Sequence, residues 1–373
     1  MLLKKARVEN FRNIKHAELE FSPQVNIFHG DNAQGKTNLL EAISVALGKS
    51  FRNIRKNDII PFNYTNGITN VTLFYESEQV PGNLNNIAYR TTQEKCTVEI
   101  NSIPLKKATD LYGEFKYVVF IPDNLHLIKG YPDMRRYYLD NIAIMQNKSH
   151  RRFLSEYKEA LKQRCAACIS GNYRGNMMEV WDDILVKQGI NLTYGRLKYL
   201  NLIKSYATDI YSGLSGGEQL GLSYYSDVFG GMSGASEMDF SNKANLYGVY
   251  KRTLREVHCG GHSGKTPGAH RDDVVFTING KNARTYGSQG QLRSIAVSLK
   301  LAEAAIIRDF NRENPVVLLD EVLGELDGSR RQYVVKHFDN SQVFITSCNI
   351  NDFEKMDGLK VWSVKNGVFT SGQ

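Results

Sequence analysis

The chain has 373 residues, of which 42% are hydrophobic and 23% charged, with a formal net charge of +8. That length supports two or three packed units with real cores, and no apolar run approaches the roughly 18 residues that a membrane-spanning helix needs. A basic balance suits a polyanionic partner, because phosphate backbones attract lysine and arginine. Five cysteines, an odd number spread over the chain, fit reduced thiols better than a disulfide framework. The lone C-x-x-C of Cys165 and Cys168 is a weak zinc signal. Met1 to Arg7 leads into a strand pattern instead of a signal peptide, so the expected location is cytoplasmic, with no membrane partner.

Taken in order, residues 2–8 and 18–22 alternate as two strands joined by a polar turn. Arg12 in that turn is expected near phosphate oxygens, which a guanidinium holds in a fixed fork. The apolar run Val25 to Phe28 then enters G-x-x-x-x-G-K-T, Gly30 to Thr37, and continues with Leu39, Leu40, Ile43 and Leu47 at helical period. This reads as strand, phosphate loop, helix. Gly30 and Gly35 let the loop turn so that backbone N–H groups, around Asn32 among others, point inward at a triphosphate. Lys36 then reaches the β- and γ-phosphates of ATP, and Thr37 ligates Mg²⁺.

Lys49, Arg52, Arg55 and Lys56 crowd into eight positions and form a first candidate DNA-contacting patch. Short alternating runs from Thr69 to Ile103 predict an antiparallel sheet, and Val118 to Pro122 a buried strand. Helical patterns follow at Pro132–Ala167 and Met177–Leu214, interrupted by Gly171, Gly175, Gly189 and Gly195 too often for a long coiled coil. Arg135, Arg136, Arg151, Arg152, Lys158 and Arg164 make this inserted lobe the second candidate DNA face. Further on come a helix near Asn242–Val257, a strand Val274–Ile278 with an Asn279-Gly280 hairpin turn, and a long helix from Gly290 to Asn311.

Pro315 to Val322 is an apolar strand ending in two carboxylates. Asp320 is expected to hold Mg²⁺ opposite Thr37 from a neighbouring strand, and Glu321 to act as general base on the attacking water. Gly-Glu-Leu-Asp327 follows, and Gln342–Cys348 is another buried strand.

A phosphate loop, a Leu-Leu-Asp-Glu strand and a following Leu-Asp resemble the ABC-type ATPases. In that class a serine loop from a second protomer caps the γ-phosphate. Leu214–Glu218, LSGGE, matches the bare signature better than Tyr286–Ser294, YGSQGQLRS. The loop must open a helix so that its hydroxyl and N-terminal dipole face phosphate. LSGGE runs into LGLSYYS, which alternates like a strand, whereas Ser288 opens a long helical run. Ser288, with Gln289, Gly290 and Gln291, is therefore the expected signature loop.

The whole set resembles the RecF family of bacterial recombination-repair ATPases, related to the SMC proteins. The resemblance rests on VENFRNI, GDNAQGKTNLLEAI, KSFR, IPDNLHLIKGYPDMRRYYLD, GAHRDDVVFTING, YGSQGQLRSIAVSLKLAE, LLDEVLGELD and FITS. It implies an α/β ABC-type ATPase head, a mixed sheet with the phosphate loop plus an antiparallel β subdomain, and an inserted helical lobe without long coiled-coil arms. Residues 1–118 with 301–373 form the expected ATPase lobe, and residues 119–300 the helical lobe. The resemblance further implies ATP-dependent dimerisation with Asp327 at the nucleotide, slow DNA-dependent ATP hydrolysis, and binding to gapped or single-strand/double-strand junction DNA. Partnership with RecR and RecO in loading RecA is implied as well. This chain departs from the usual pattern at Ala269, where proline is usual, and at Ser347, where transport ATPases carry histidine. The missing histidine and the basic helical lobe argue against a membrane-transporter subunit.

Overall fold

The computed structural model of the protein describes residues 1–48, 56–61, 67–77, 80–169, 176–230, 239–259, 266–338, 340–349 and 358–372. Arg52 and Arg55 of the first basic patch, and the side chain of Lys56, lie outside the described part.

The chain opens with an antiparallel pair, β1 (Leu2–Phe11) and β2 (Ile14–Glu20). Both are longer than their sequence patterns, and the turn shrinks to Arg12 and Asn13. The register explains this: Ala6 faces Leu19, Val8 faces Ala17 and Phe11 faces Ile14, so the apolar face stays buried to the end of the hairpin. Next come β3 (Val25–His29), α1 (Lys36–Ala46), β4 (Thr69–Ser77), β5 (Val80–Thr91), β6 (Cys96–Ile100), β7 (Ile103–Pro104) and β8 (Tyr117–Phe120). Three helices follow, α2 (Pro132–Gln146), α3 (Ser149–Ile169) and α4 (Asn176–Ser215), then β9 (Leu220–Tyr225), α5 (Lys243–Cys259), β10 (Asp273–Ile278) and β11 (Lys281–Asn282). The last part is α6 (Gln289–Asn311), β12 (Val316–Asp320), α7 (Gly328–Lys336), β13 (Val343–Ser347), β14 (Leu359–Lys365) and β15 (Val368–Ser371). No helix among the described residues is long and apolar enough to cross a membrane.

These elements form two compact units, Met1–Pro122 with Glu303–Gln373, and Asp123–Ala302. The first holds two six-stranded sheets. One is antiparallel, in the order β2-β1-β4-β5-β6-β7; the other runs β15-β14-β3-β13-β12-β8 and is parallel except for β15. Its central strands are mainly apolar, as strands buried on both faces are: Ile27, Phe28, Val316 to Leu319, Phe344 and Ile345 are at most 1% exposed.

The second unit packs α2 to α5 with a three-stranded sheet, β11-β10-β9. α4 runs unbroken for 40 residues, about 60 Å, straight through Gly189 and Gly195. These glycines do not interrupt the helix; they admit neighbours. A Cβ at Gly189 would collide with the Tyr250 ring, and one at Gly195 would sit 2.7 Å from His150 Nδ1.

The arginines of this unit fall into two groups, which corrects the expected DNA face. Arg135 is 4% exposed; its Nε and Nη2 donate to Asp273 at 2.6 and 3.0 Å, and its Nη1 donates to the Gly130 carbonyl. Arg164 donates to Asp182 Oδ1 at 2.6 Å and is also buried. Arg136 is half-buried and donates to the Asp272 carbonyl at 2.7 Å, and Arg151 is half-buried. A guanidinium inside a folded unit needs a carboxylate or carbonyls, and Arg135, Arg164 and Arg136 have them. Arg152 and Lys158 are exposed.

At the centre, Arg196 grips Asp140 through Nε and Nη2 at 2.8 and 2.9 Å, and His150 Nε2 lies 2.9 Å from the same carboxylate. Burial pushes the Asp140 carboxyl up, but the Arg196 charge and the bonds from His150 and Arg196 outweigh it and hold it well below the usual range. Arg196→Met leaves that carboxylate buried without its partner and is expected to cost about 3–5 kcal/mol in urea unfolding. Arg152→Ala, at a side chain 70% exposed, is expected to change stability by less than about 0.5 kcal/mol.

Candidate nucleotide site

The phosphate loop leaves β3 at Gly30 and closes on α1 at Lys36. Two positions enforce its path. A Cβ at Gly30 would collide with the Val364 carbonyl oxygen, and Gly35 adopts φ 113° at the start of the helix, a conformation open to glycine. The loop thereby curls over the Lys36 side chain, whose Nζ donates to the Gly30 and Asp31 carbonyls at 2.6 and 2.9 Å and lies 3.2 Å from Glu321 Oε1. Lys36 is 3% exposed. Its ammonium is thus held at the mouth of the loop by the groups that phosphate oxygens would replace.

Asp320 closes the other side, although not from the neighbouring strand. β13 lies between β3 and β12, so the strand that carries Asp320 stands two strands from β3, about 9–10 Å across the sheet. Thr346 fills the gap: it pairs with Asp320 on one side and with Phe28 on the other. Its Oγ1 donates to Asp320 Oδ1 at 2.8 Å, and Thr37 Oγ1 donates to the same oxygen at 2.7 Å. The Glu321 backbone N–H then donates to Thr346 Oγ1 at 2.9 Å, which holds Glu321 at φ 56° beyond the strand end. Such a left-handed residue is sterically costly and persists where its surroundings fix it. A hydroxyl and a carboxylate on one point are hard oxygen donors of the kind Mg²⁺ takes, so the residues fit that ion.

Gly30, Asn32, Gly35, Lys36, Thr37, Asp320 and Glu321 are therefore brought together. Arg12 takes another part. Its Nε lies 2.8 Å from Glu41 Oε2, a carboxylate buried on α1 at 0% exposure, so its charge compensates that acid instead of lying free for phosphate. Asp327 caps α7, accepting from the Arg330 N–H at 2.9 Å and from Ser329 Oγ at 2.7 Å. The Arg330 N–H holds its carboxyl below the ordinary carboxylate value, with Ser329 adding to the effect.

Thr346, Cys348, Asn13 and Gln34 are the residues that sequence reasoning left out. The Cys348 thiol is exposed, donates to Asn32 Oδ1 at 3.0 Å and lies 3.4 Å from Lys36 Nζ. Ser347, at the switch position, turns away: its Oγ donates to the Asn349 carbonyl at 2.8 Å. The register of β13 against β3 and β12 would have flagged Thr346, but register is not readable from one strand.

In the second unit the two rival serine loops have opposite contexts. Ser215 ends α4, and Gly216 and Gly217 follow in left-handed conformation, with the Gly217 N–H closing on the Ser212 carbonyl. Ser288 opens α6 in a reciprocal box: Oγ accepts from the Gln291 N–H at 3.2 Å, and the Ser288 N–H donates to Gln291 Oε1 at 2.8 Å. Gln291 Nε2 also donates to Glu218 Oε1 at 2.7 Å, so the last residue of LSGGE braces the other loop. Ser288 and Gln289 are exposed and Gly290 is half-buried.

This is the fold of an ABC-type ATPase head. Residues 2–370 match the family model described as RecF/RecN/SMC N terminal domain. A protein of Lactobacillus acidophilus called DNA replication and repair protein RecF is 34% identical over 99% of each chain, and its namesake in Clostridium acetobutylicum is 34% identical over 98% of this chain and 99% of its own. The solved structure of the recombination mediator protein RecF-ATP in the RecFOR pathway superposes with a TM-score of 0.88 at 29% identity, covering 100% of this chain and 98% of that one. An Smc head bound to the C-winged helix domain of ScpA shares the fold at a TM-score of 0.58 and 16% identity, covering 100% of this chain and 98% of that one. The chain belongs to the RecF family.

The capping geometry separates the two serines in stability as well. Ser288→Ala is expected to cost about 1 kcal/mol through the lost helix cap. Ser215 Oγ is buried without a hydrogen-bond partner, so Ser215→Ala is expected to be neutral or slightly stabilising in the same urea titration.

Proposed function

We propose that this chain is an ATP-dependent DNA-binding protein of recombinational repair and replication restart, which dimerises on ATP and hydrolyses it slowly. The observation that carries the reading is the Lys36 ammonium held on loop carbonyls beside the Thr37–Asp320 contact. Its support is a full-length likeness to a RecF-ATP structure and to relatives called DNA replication and repair proteins.

In this reading the loop N–H groups and Lys36 take the β- and γ-phosphates of ATP. Thr37 and Asp320 are the residues that would hold Mg²⁺, which when bound offsets phosphate charge and orients the two terminal phosphates. Thr346 keeps Asp320 in place through its hydroxyl. Glu321 is the general base; phosphate competes for Lys36, which is now its ion-pair partner, and leaves the carboxylate to accept a proton from the attacking water. Ser288, Gln289, Gly290 and Gln291 serve the nucleotide of a second protomer, with Asp327 at the same junction, so hydrolysis waits on pairing and the protein works as a switch. Residues 119–300 act as the helical lobe that carries this loop. The dimer holds gapped or single-strand/double-strand junction DNA and works with RecR and RecO to load RecA. Of the described arginines assigned to DNA, Arg152 is the one with an exposed guanidinium, and Lys158 stands six residues further along the same helix.

Lys36→Ala removes a charged donor worth about 1.5–3 kcal/mol and is expected to weaken ATP binding roughly ten- to a hundredfold in equilibrium dialysis. Unchanged binding would refute the site. Ser288→Arg is expected to bind ATP normally yet stay monomeric in sedimentation with ATP; the same result from Ser215→Arg alone would transfer the role to that loop. DNA affinity is expected to fall log-linearly with salt as counterions are released, and a flat profile would exclude backbone binding.

A further inference from the structure

The phosphate loop is held from outside by the two ends of the chain. Gln34, at the loop position before Gly35, is where they meet. Its main-chain oxygen accepts from Asn13 Nδ2 at 3.1 Å, in the β1–β2 turn, and from the Gly367 N–H at 2.8 Å, in the β14–β15 turn. Its side-chain Oε1 accepts from the Asn366 N–H at 2.8 Å, and its Nε2 points back to the Asn32 carbonyl at 3.4 Å. Asn13 in turn accepts from Asn38 Nδ2 of α1 at 2.8 Å. Asn366 and Gly367 both have positive φ, 51° and 76°, as a two-residue hairpin turn of the primed type requires, and so present two successive N–H groups to one residue. The fit leaves no slack: a Cβ at Gly367 would collide with the Asn13 carbonyl oxygen, and one at Gly35 would sit 2.8 Å from Asn13 Oδ1.

We propose that Gln34 is a positioning residue for ATP, through which the C-terminal β-hairpin and the β1–β2 turn hold the phosphate loop in its binding shape. The proposal rests on the ATP reading given above. Physically, a loop that binds phosphate with backbone N–H groups gains affinity when those groups are fixed beforehand, because ordering them on binding subtracts from the binding free energy. The three N–H groups that reach Gln34 come from Asn13, Asn366 and Gly367 and use no phosphate-facing group of the loop. The brace therefore acts on the loop and not on the ligand. It also makes β14 and the edge strand β15, both far from the loop in sequence, part of the nucleotide apparatus.

The test uses the full chain, a fluorescent ATP analogue and Mg²⁺, with the dissociation constant and the binding stoichiometry read separately. Gln34→Met keeps the side-chain length and removes the amide; Gly367→Ala forces the hairpin turn off Asn13. Each is expected to raise the dissociation constant about three- to tenfold, the worth of one or two intramolecular hydrogen bonds, at unchanged stoichiometry. The double variant is expected to lose less than the sum of the two single losses, because both act on the same hairpin turn at Gln34. The KM for ATP is expected to rise by the same factor. A merely structural role would instead lower the stoichiometry through misfolded chains and leave the dissociation constant of the remainder alone, and that result overturns the proposal. So does unchanged affinity in both variants when the wild type binds. A wild-type chain that does not bind the analogue overturns the ATP reading, and the proposal with it.

Discussion

The site depends on one carboxylate oxygen that receives two hydroxyls. Asp320 Oδ1 accepts from Thr37 on the loop side and from Thr346 on the strand between, and this pair of bonds spans the width of a strand that separates the loop from the acid. A parallel sheet fixes the spacing of its strands, yet the carboxylate meets Thr37 directly at 2.7 Å, and Thr346 on the strand between holds the same oxygen in place. The Thr346 hydroxyl also receives the Glu321 N–H and so sets the backbone of the next acid. Four residues, Thr37, Asp320, Thr346 and Glu321, thus share one hydrogen-bond chain, and each end of it carries a group suited to phosphoryl chemistry.

Several of the molecule's guanidinium groups are paired with carboxylates inside the fold. Arg12 answers Glu41, Arg135 answers Asp273, Arg164 answers Asp182, and Arg196 answers Asp140. A net charge of +8 counts all of these equally, yet a buried, paired guanidinium presents no field to a polyanion. The exposed remainder decides what the surface attracts. This is why arginine density along the helical lobe overstates the positive charge that its surface presents.

The helical lobe shows the same distinction in its glycines. Gly189 and Gly195 weaken a helical pattern in isolation, because glycine disfavours a helix interior by about 1 kcal/mol against alanine. In the folded unit they are the positions where Tyr250 and His150 press against the helix backbone. Packing supplies what propensity withholds, and α4 continues through both.

What the sequence determined by itself was local: the strand–loop–helix of Val25 to Leu47, the acidic end of β12, the Asn279-Gly280 turn and the helix opened by Ser288. Each follows from residue spacing within one segment, where period, glycine and capping chemistry act between near neighbours. The stretch after LSGGE is local in the same way, since LGLSYY alternates and forms a strand instead of a helix. What only the tertiary structure decided was partnership across segments: that β13 intervenes between loop and carboxylate, that Arg12 serves Glu41, and that Gln34 is gripped by both ends of the chain. Strand order and register arise from burial summed over whole sheets, and no single stretch of sequence contains that sum.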